Sequence, residues 1–345
     1  MGDGSVRMPR QRRSSALRAE SPPSRNGPPR TPDARLYAAL DLGTNNCRLL
    51  IARPHGAGFA VVDAFSRIVR LGEGLATSGQ LSDAAMERTI AALRICADKL
   101  RRRNVALARS VATEACRRAG NGNAFIRRVY AETGIALDVI SAEEEARLAV
   151  LGCHALLEPG EGPALVFDIG GGSTELVRVD ARARAPRILD WHSAPWGVVS
   201  LTEAMHRAEG ADAYAAMRAR VRESFAPFAE RVGRPAGTLR LLGTSGTVTT
   251  LASVHLGLES YDRAMIDGLI VPAAAMREVS ARLAAMSLRE RAKVPCIGPE
   301  RADLVVAGCA ILETIMDLWP AERLGIADRG IREGILRRLI NGREA

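Results

Sequence analysis

The strongest constraint on this chain is that it writes one strand-turn-strand phrase twice, with Asp41 and Asp168 standing 127 positions apart. The first copy reads Ala38-Ala39-Leu40-Asp41-Leu42-Gly43-Thr44-Asn45-Asn46, and the second Leu165-Val166-Phe167-Asp168-Ile169-Gly170-Gly171-Gly172-Ser173-Thr174. In each, an apolar strand runs into Asp-x-Gly with small or hydroxyl residues and then into a second apolar strand, Leu49-Leu50-Ile51-Ala52 or Leu176-Val177-Arg178-Val179. An Asp at a strand tip can hold a metal or its water shell. A Gly-rich turn lets backbone N–H groups approach an anion with no Cβ in the way. One such turn is a weak signal. Two in matching context predict two homologous halves whose hairpins face one cleft, with phosphate and a divalent cation as the natural ligand.

The 345 residues are enough for two domains with buried cores. No run of about 18 apolar residues exists to span a membrane. The N-terminus lacks the apolar stretch of a secretory signal. Six cysteines (Cys47, Cys96, Cys116, Cys153, Cys296 and Cys309) form no CxxC pair and sit in apolar segments. That pattern suits free thiols in a reducing cytosol, so a cytoplasmic location is expected.

The formal charge of +9 invites a nucleic-acid reading. Its distribution argues against one, because residues 1–35 hold eight Arg against Asp3, Glu20 and Asp33, leaving +4 for the rest of the chain. That Pro-, Ser- and Arg-rich tail has no apolar periodicity and is expected to be disordered, as a solvated extension rather than a polyanion-binding arm. Aromatics are only 4% of the chain, too few for a base-stacking platform.

The ordered sequence begins near Leu36 with strands expected at 37–40, 48–53 and 59–65, followed by the Gly-punctuated loop Arg70-Leu71-Gly72-Glu73-Gly74-Leu75. Ser82 caps a helix whose apolar residues Met86, Ile90, Leu93, Ala97 and Leu100 keep the 3.6 period. Strand 106–112, helix 124–133 and strand 137–140 complete an alternating α/β half. The second half repeats the plan with the 165–169 hairpin, a helix over 211–232 and a strand over 239–242. Gly160, Gly162 and Pro163 place the boundary near residue 158, giving domains 36–158 and 159–345, with the last helix free to pack back on the first.

Ser141-Ala142-Glu143-Glu144-Glu145-Ala146-Arg147-Leu148 predicts a capped helix, with Ser141 at the N-cap and Glu144 closing a capping box. Three glutamates in a first turn ordinarily complement the helix dipole. Here the helix joins the two hairpins, so one of them can point into the cleft, and periodicity leaves open whether it is Glu144 or Glu145. Glu175, one residue past the second turn, is a carboxylate beside an anion cradle, a placement that asks for a metal or a proton-transfer task. Thr113 and Arg117 follow a strand end, where α/β sheets collect ligands. Gly243-Thr244-Ser245-Gly246-Thr247 enters a helix, either as a phosphate turn or as a plain cap.

Together with Thr113-Glu114-Ala115-Cys116-Arg117 and Gly330-Ile331-Arg332-Glu333-Gly334, these motifs resemble, in order, the exopolyphosphatase / guanosine pentaphosphatase (Ppx/GppA) family of the actin-like ATPase superfamily, over about residues 36–340. The resemblance implies an α/β fold of two ribonuclease H-like, actin-like domains around an interdomain cleft. It also implies metal-dependent release of terminal orthophosphate from inorganic polyphosphate, or of the 5′-γ-phosphate of guanosine pentaphosphate. By the same resemblance Glu145 is the general base and Glu175 the second catalytic carboxylate, Asp168 holds Mg²⁺, and Arg117 neutralises phosphates. Asp41, Gly43, Thr44, Asn45, Gly170, Gly171, Gly172, Ser173, Thr174, Gly243, Ser245 and Gly246 complete the phosphate-binding set.

Asn46 stands where many members carry Ser. The sequence also ends where longer members add a C-terminal HD-type helical domain, which implies a shortened polyphosphate channel. The expected partner is the substrate itself, without membrane or nucleic acid, and a homodimer is left open. The rival reading, an actin-like ATP-binding scaffold, does not need both Glu145 and Glu175 near the phosphates.

Overall fold

The computed structural model describes residues 1, 35–180, 186–206, 208–233 and 239–342. The expectation of a disordered tail falls almost wholly on 2–34, outside the described residues.

The first half runs β1 (Leu36–Leu42), β2 (Asn46–His55), β3 (Gly58–Ile68), α1 (Leu75–Ser78), α2 (Asp83–Arg102), β4 (Val105–Ala112), α3 (Glu114–Arg118), α4 (Gly122–Thr133), β5 (Leu137–Val139) and α5 (Ala142–Cys153). The second runs β6 (Pro163–Ile169), β7 (Thr174–Asp180), β8 (Arg187–Ala194), α6 (Val198–Ala204), α7 (Ala211–Val232), β9 (Arg240–Thr244), α8 (Gly246–His255), α9 (Arg263–Ile266), β10 (Ile270–Pro272), α10 (Ala273–Ala285), α11 (Leu288–Arg291), α12 (Val305–Leu318), β11 (Arg323–Ala327) and α13 (Ile331–Ile340).

The duplication read in the sequence is a duplication of sheets. The first has strand order β3-β2-β1-β4-β5, and the second has β10-β11-β9-β6-β7-β8. Set aside the edge strand β10, and the second order repeats the first strand for strand. In both, the hairpin strands are antiparallel and the next strand joins in parallel. This is the two-sheet α/β architecture that the resemblance implies.

The central strands β1 and β6 are apolar on both faces because each sheet is covered on both sides. Along β1, Ala38, Leu40 and Leu42 join one core cluster, while Tyr37 and Ala39 join another. Along β6, Leu165, Phe167 and Ile169 face α7 and α12, while Ala164 and Val166 face α5. Helix α5 lies between the sheets: Leu148 and Ala149 pack on the first, Ala146, Val150 and Cys153 on the second.

Helix α13 packs on β1 and α5 through Ile331, Ile335, Leu336 and Leu339. Its closeness to α5 depends on two glycines. A Cβ on Gly152 would sit 1.9 Å from the Gly330 carbonyl oxygen, and one on Gly334 would sit 2.1 Å from that of Leu148. Only glycine permits this backbone approach. Among the described residues, no helix is long and apolar enough to cross a membrane.

Candidate active site

Both hairpin turns close with the same bond. Gly43 N donates to Asn46 O at 2.9 Å, and Gly170 N donates to Ser173 O at 3.0 Å. The turns touch each other: a Cβ on Gly171 would lie 3.1 Å from Asn45 N, and one on Gly172 would lie 2.5 Å from Thr44 Oγ1. They open on one cleft with a cavity volume of about 140 Å³.

Most residues named from the sequence line that cleft. They are the acids Asp41, Glu145, Asp168 and Glu175, then Gly43, Thr44 and Asn45 of the first turn, Gly170, Gly171, Gly172 and Ser173 of the second, and Ser245 and Gly246 at the start of α8. Three are set behind the wall. Thr174 is fully buried and donates to Trp196 O at 2.6 Å, fixing the second turn. Gly243 makes room for the Phe167 ring, which a Cβ would meet at 2.7 Å.

Arg117 is the third. It donates to Glu145 Oε2 from both Nη1 and Nη2 at 3.2 Å, to Glu114 Oε2 from Nε and Nη2 at 3.1 and 2.5 Å, and to Ile140 O at 2.7 Å. In this arrangement it holds Glu145 rather than facing the cavity.

The choice between Glu144 and Glu145 is made by packing. Ser141 Oγ accepts from Glu144 N at 3.1 Å, as an N-cap should. The return half of the expected capping box does not form, because the Glu144 carboxylate pairs with Arg109 at 3.2 Å and with Arg338 of α13. A charged partner outcompetes a neutral N–H. Glu145, one residue on, turns inward and is buried.

Four carboxylates converge here, Glu145 and Glu175 buried and Asp41 and Asp168 half-buried, and all four have raised pKa values. Burial is the main cause at each. It lifts Asp41, with the Arg48 and Arg332 guanidiniums pulling the other way. It lifts Asp168 to about 6, opposed by Arg48 and helped by Asp41. Burial and then the Asp168 charge lift Glu175 to about 8, against hydrogen bonds from Ser173 and Ser193. Burial and then the Glu175 charge lift Glu145 well above the usual carboxylate range, with Arg117 opposing.

This cluster fits a hard divalent cation. Asp41 Oδ1 is buried with no hydrogen-bond partner, an acceptor waiting for a positive ligand. Among the described residues no three His, Cys, Asp or Glu side chains converge as a ready-made metal site. A cation here would therefore draw much of its shell from water and phosphate oxygens, as Mg²⁺ commonly does.

The sequence reading passed over four basic residues that line the cleft, Arg48, Arg301, Arg332 and Arg329, the last of them donating to Asp267 at 2.7 Å. A signal for Arg48 existed, since aligning the two copies of the hairpin sets Arg48 on Glu175. Arg332 lay in a recognised motif without a role. Arg301, in an irregular segment before α12, carried no local mark.

Paired turns rich in N–H groups, with Glu145 and Glu175 on the wall between them, give the cleft the make-up of a phosphoanhydride hydrolase on a duplicated two-sheet frame. The sequence matches the model of the Ppx/GppA phosphatase family over residues 50–342, and the chain belongs to that family. Its phosphatases are metal-dependent in general.

Exopolyphosphatase 2 of Mycobacterium tuberculosis is 34% identical over 315 residues, covering 86% of this chain and 96% of the relative. Among solved structures, an exopolyphosphatase from Cytophaga hutchinsonii superposes with a TM-score of 0.82 at 25% identity, covering 90% of this chain and 99% of that one. The Aquifex aeolicus member of the Ppx/GppA family gives 0.74 at 27% identity, with 90% and 99% covered.

Proposed function

We propose that the chain is an exopolyphosphatase that hydrolyses the terminal phosphoanhydride of inorganic polyphosphate and releases orthophosphate with Mg²⁺ as its cation. The observation that carries this reading is the placement of Glu145 and Glu175 on the wall of one cleft between two N–H turns. Polyphosphate is favoured over guanosine pentaphosphate because the M. tuberculosis and C. hutchinsonii relatives bear the exopolyphosphatase name.

Phosphoanhydrides have a good leaving group, so the protein's task is to aim a water in line and neutralise charge. Glu145 takes the proton of the attacking water. The Arg117 guanidinium opposes the burial-driven rise in its pKa, favouring the ionised form that a base needs, and fixes its direction. Glu175, held by Ser193 at 2.9 Å, orients the same water. The 43–45 and 170–173 turns receive phosphate oxygens on their N–H groups, while Arg48, Arg301 and Arg332 supply countercharge. Asp168, with Asp41 beside it, would hold Mg²⁺, which when bound offsets the negative charge gathered on the phosphates. The six free cysteines, five of them buried, suit a reducing cytosol.

The test is orthophosphate release from short polyphosphate, long polyphosphate and guanosine pentaphosphate side by side, for wild type and Glu145→Gln. Polyphosphate should be hydrolysed fastest, and the variant should lose about 10²- to 10⁴-fold in turnover with KM nearly unchanged. A preference for guanosine pentaphosphate would overturn the substrate, and a variant keeping more than about a third of wild-type turnover would overturn the base.

A further inference from the structure

Arg70, in the loop after β3, has a left-handed backbone with φ of 47°, unusual for a residue other than Gly or Asn. Its backbone rests on the first phosphate turn. Val69 N and Arg70 N both donate to Asn45 O, at 2.8 and 3.0 Å, and Gly72 N donates to Thr44 O at 2.9 Å. Its side chain reaches across to the second half. Nη1 donates to Asp303 Oδ2 at 3.0 Å, and Nη2 donates to Asp303 Oδ1 at 3.1 Å and to Glu300 O at 2.9 Å. These grips fall on either side of Arg301, which lines the cleft and donates to Thr250 Oγ1 at 3.2 Å. A second crossing lies close by, from Gly74 N to Glu203 Oε1 at 2.8 Å.

We propose that Arg70 is a positioning residue for substrate binding: it braces segment 300–303 against the first phosphate turn and thereby fixes Arg301 on the cleft wall, where that guanidinium meets the phosphates of the chain. The proposal rests on the polyphosphate reading of the cleft. A planar guanidinium gripping both oxygens of one carboxylate and a neighbouring carbonyl sets an orientation that a lysine ammonium cannot. The pair is half-buried, with side-chain exposures of 25% for Arg70 and 15% for Asp303, so solvent and salt loosen it less than an open surface pair. Glu145 and Glu175 stand on α5 and β7, outside the brace. Loosening it therefore weakens the hold on substrate and leaves the chemical step in place.

The experiment compares wild type, Arg70→Gln, Arg70→Lys, Arg301→Ala and the Arg70→Gln/Arg301→Ala double variant. It reads kcat and KM with tripolyphosphate, tripolyphosphate Kd by calorimetry, and thermal melts that verify folding. Both Arg70 variants should raise KM and Kd about fivefold or more with kcat within about twofold of wild type. The double variant should be no weaker than Arg301→Ala alone, because one residue acts through the other. Wild-type KM in Arg70→Gln, or penalties that multiply in the double variant, would overturn the brace. A wild type that neither binds nor hydrolyses tripolyphosphate, or an Arg301→Ala variant with unchanged KM, would overturn the cleft reading on which it stands, a failure visible without any Arg70 variant.

Discussion

Arg48 and Glu175 occupy the same register position in the two hairpins: Arg48 lies opposite Asp41 on β2, and Glu175 lies opposite Asp168 on β7. The repeat has thus placed a cation on one wall where the other carries a carboxylate. The Arg48 guanidinium extends to the second half, where its Nη2 would lie 3.4 Å from a Cβ on Gly246. Its charge opposes the burial-driven rise at both Asp41 and Asp168.

Arg48→Gln should therefore raise KM for polyphosphate by about 10- to 100-fold, the worth of a lost hydrogen bond to a charged group. Steady-state kinetics on short and long chains checks this. An unchanged KM would assign Arg48 to holding the two aspartates alone.

The metal-free protein should lose stability as pH rises. Glu175 sits at about 8 against an ordinary 4.5, and Asp168 at about 6 against 3.8. Between those values the folded protein keeps protons that the unfolded chain has released, so the stabilising contribution is complete below pH of about 4 and gone above about 8. Melts in a chelator should show Tm falling by a few degrees between pH of about 5.5 and 8.5, with Glu175→Gln flattening the upper part and excess Mg²⁺ restoring Tm. A flat profile would mean that these carboxylates keep nearly ordinary pKa values in the folded protein.

Asp168→Asn should move the Mg²⁺ titration of activity to higher concentration, because an amide is a poorer ligand for a hard cation than a carboxylate. Part of the activity should return at high metal. An identical titration curve would remove Asp168 from the cation site.

Gly334→Ala should destabilise the protein by about 1–3 kcal/mol, the usual range for forcing a methyl group into a full interface. The new Cβ would meet Leu148 O on α5 at 2.1 Å, so α13 or α5 must shift. Since α5 carries Glu145, turnover should drop along with Tm. Calorimetry and kcat measured together decide it, and a variant with wild-type values of both would show that the two helices separate without cost.

The sequence by itself determined the duplicated hairpin, the positions of α2, α4, α5 and α7, and the set of carboxylates. These are written in local signals: period, capping residues and glycines where backbone must meet an anion. It did not determine which carboxylate faces the cleft, and it gave no role to Arg48, Arg301 or Arg332. Glu144 is drawn aside by Arg109 and by Arg338, a residue 194 positions downstream. Arg117 is turned back onto Glu145 and Glu114. Such pairings depend on how α5, α13 and the two sheets pack, and charge seeks the partner that folding brings near, not the one nearest along the chain.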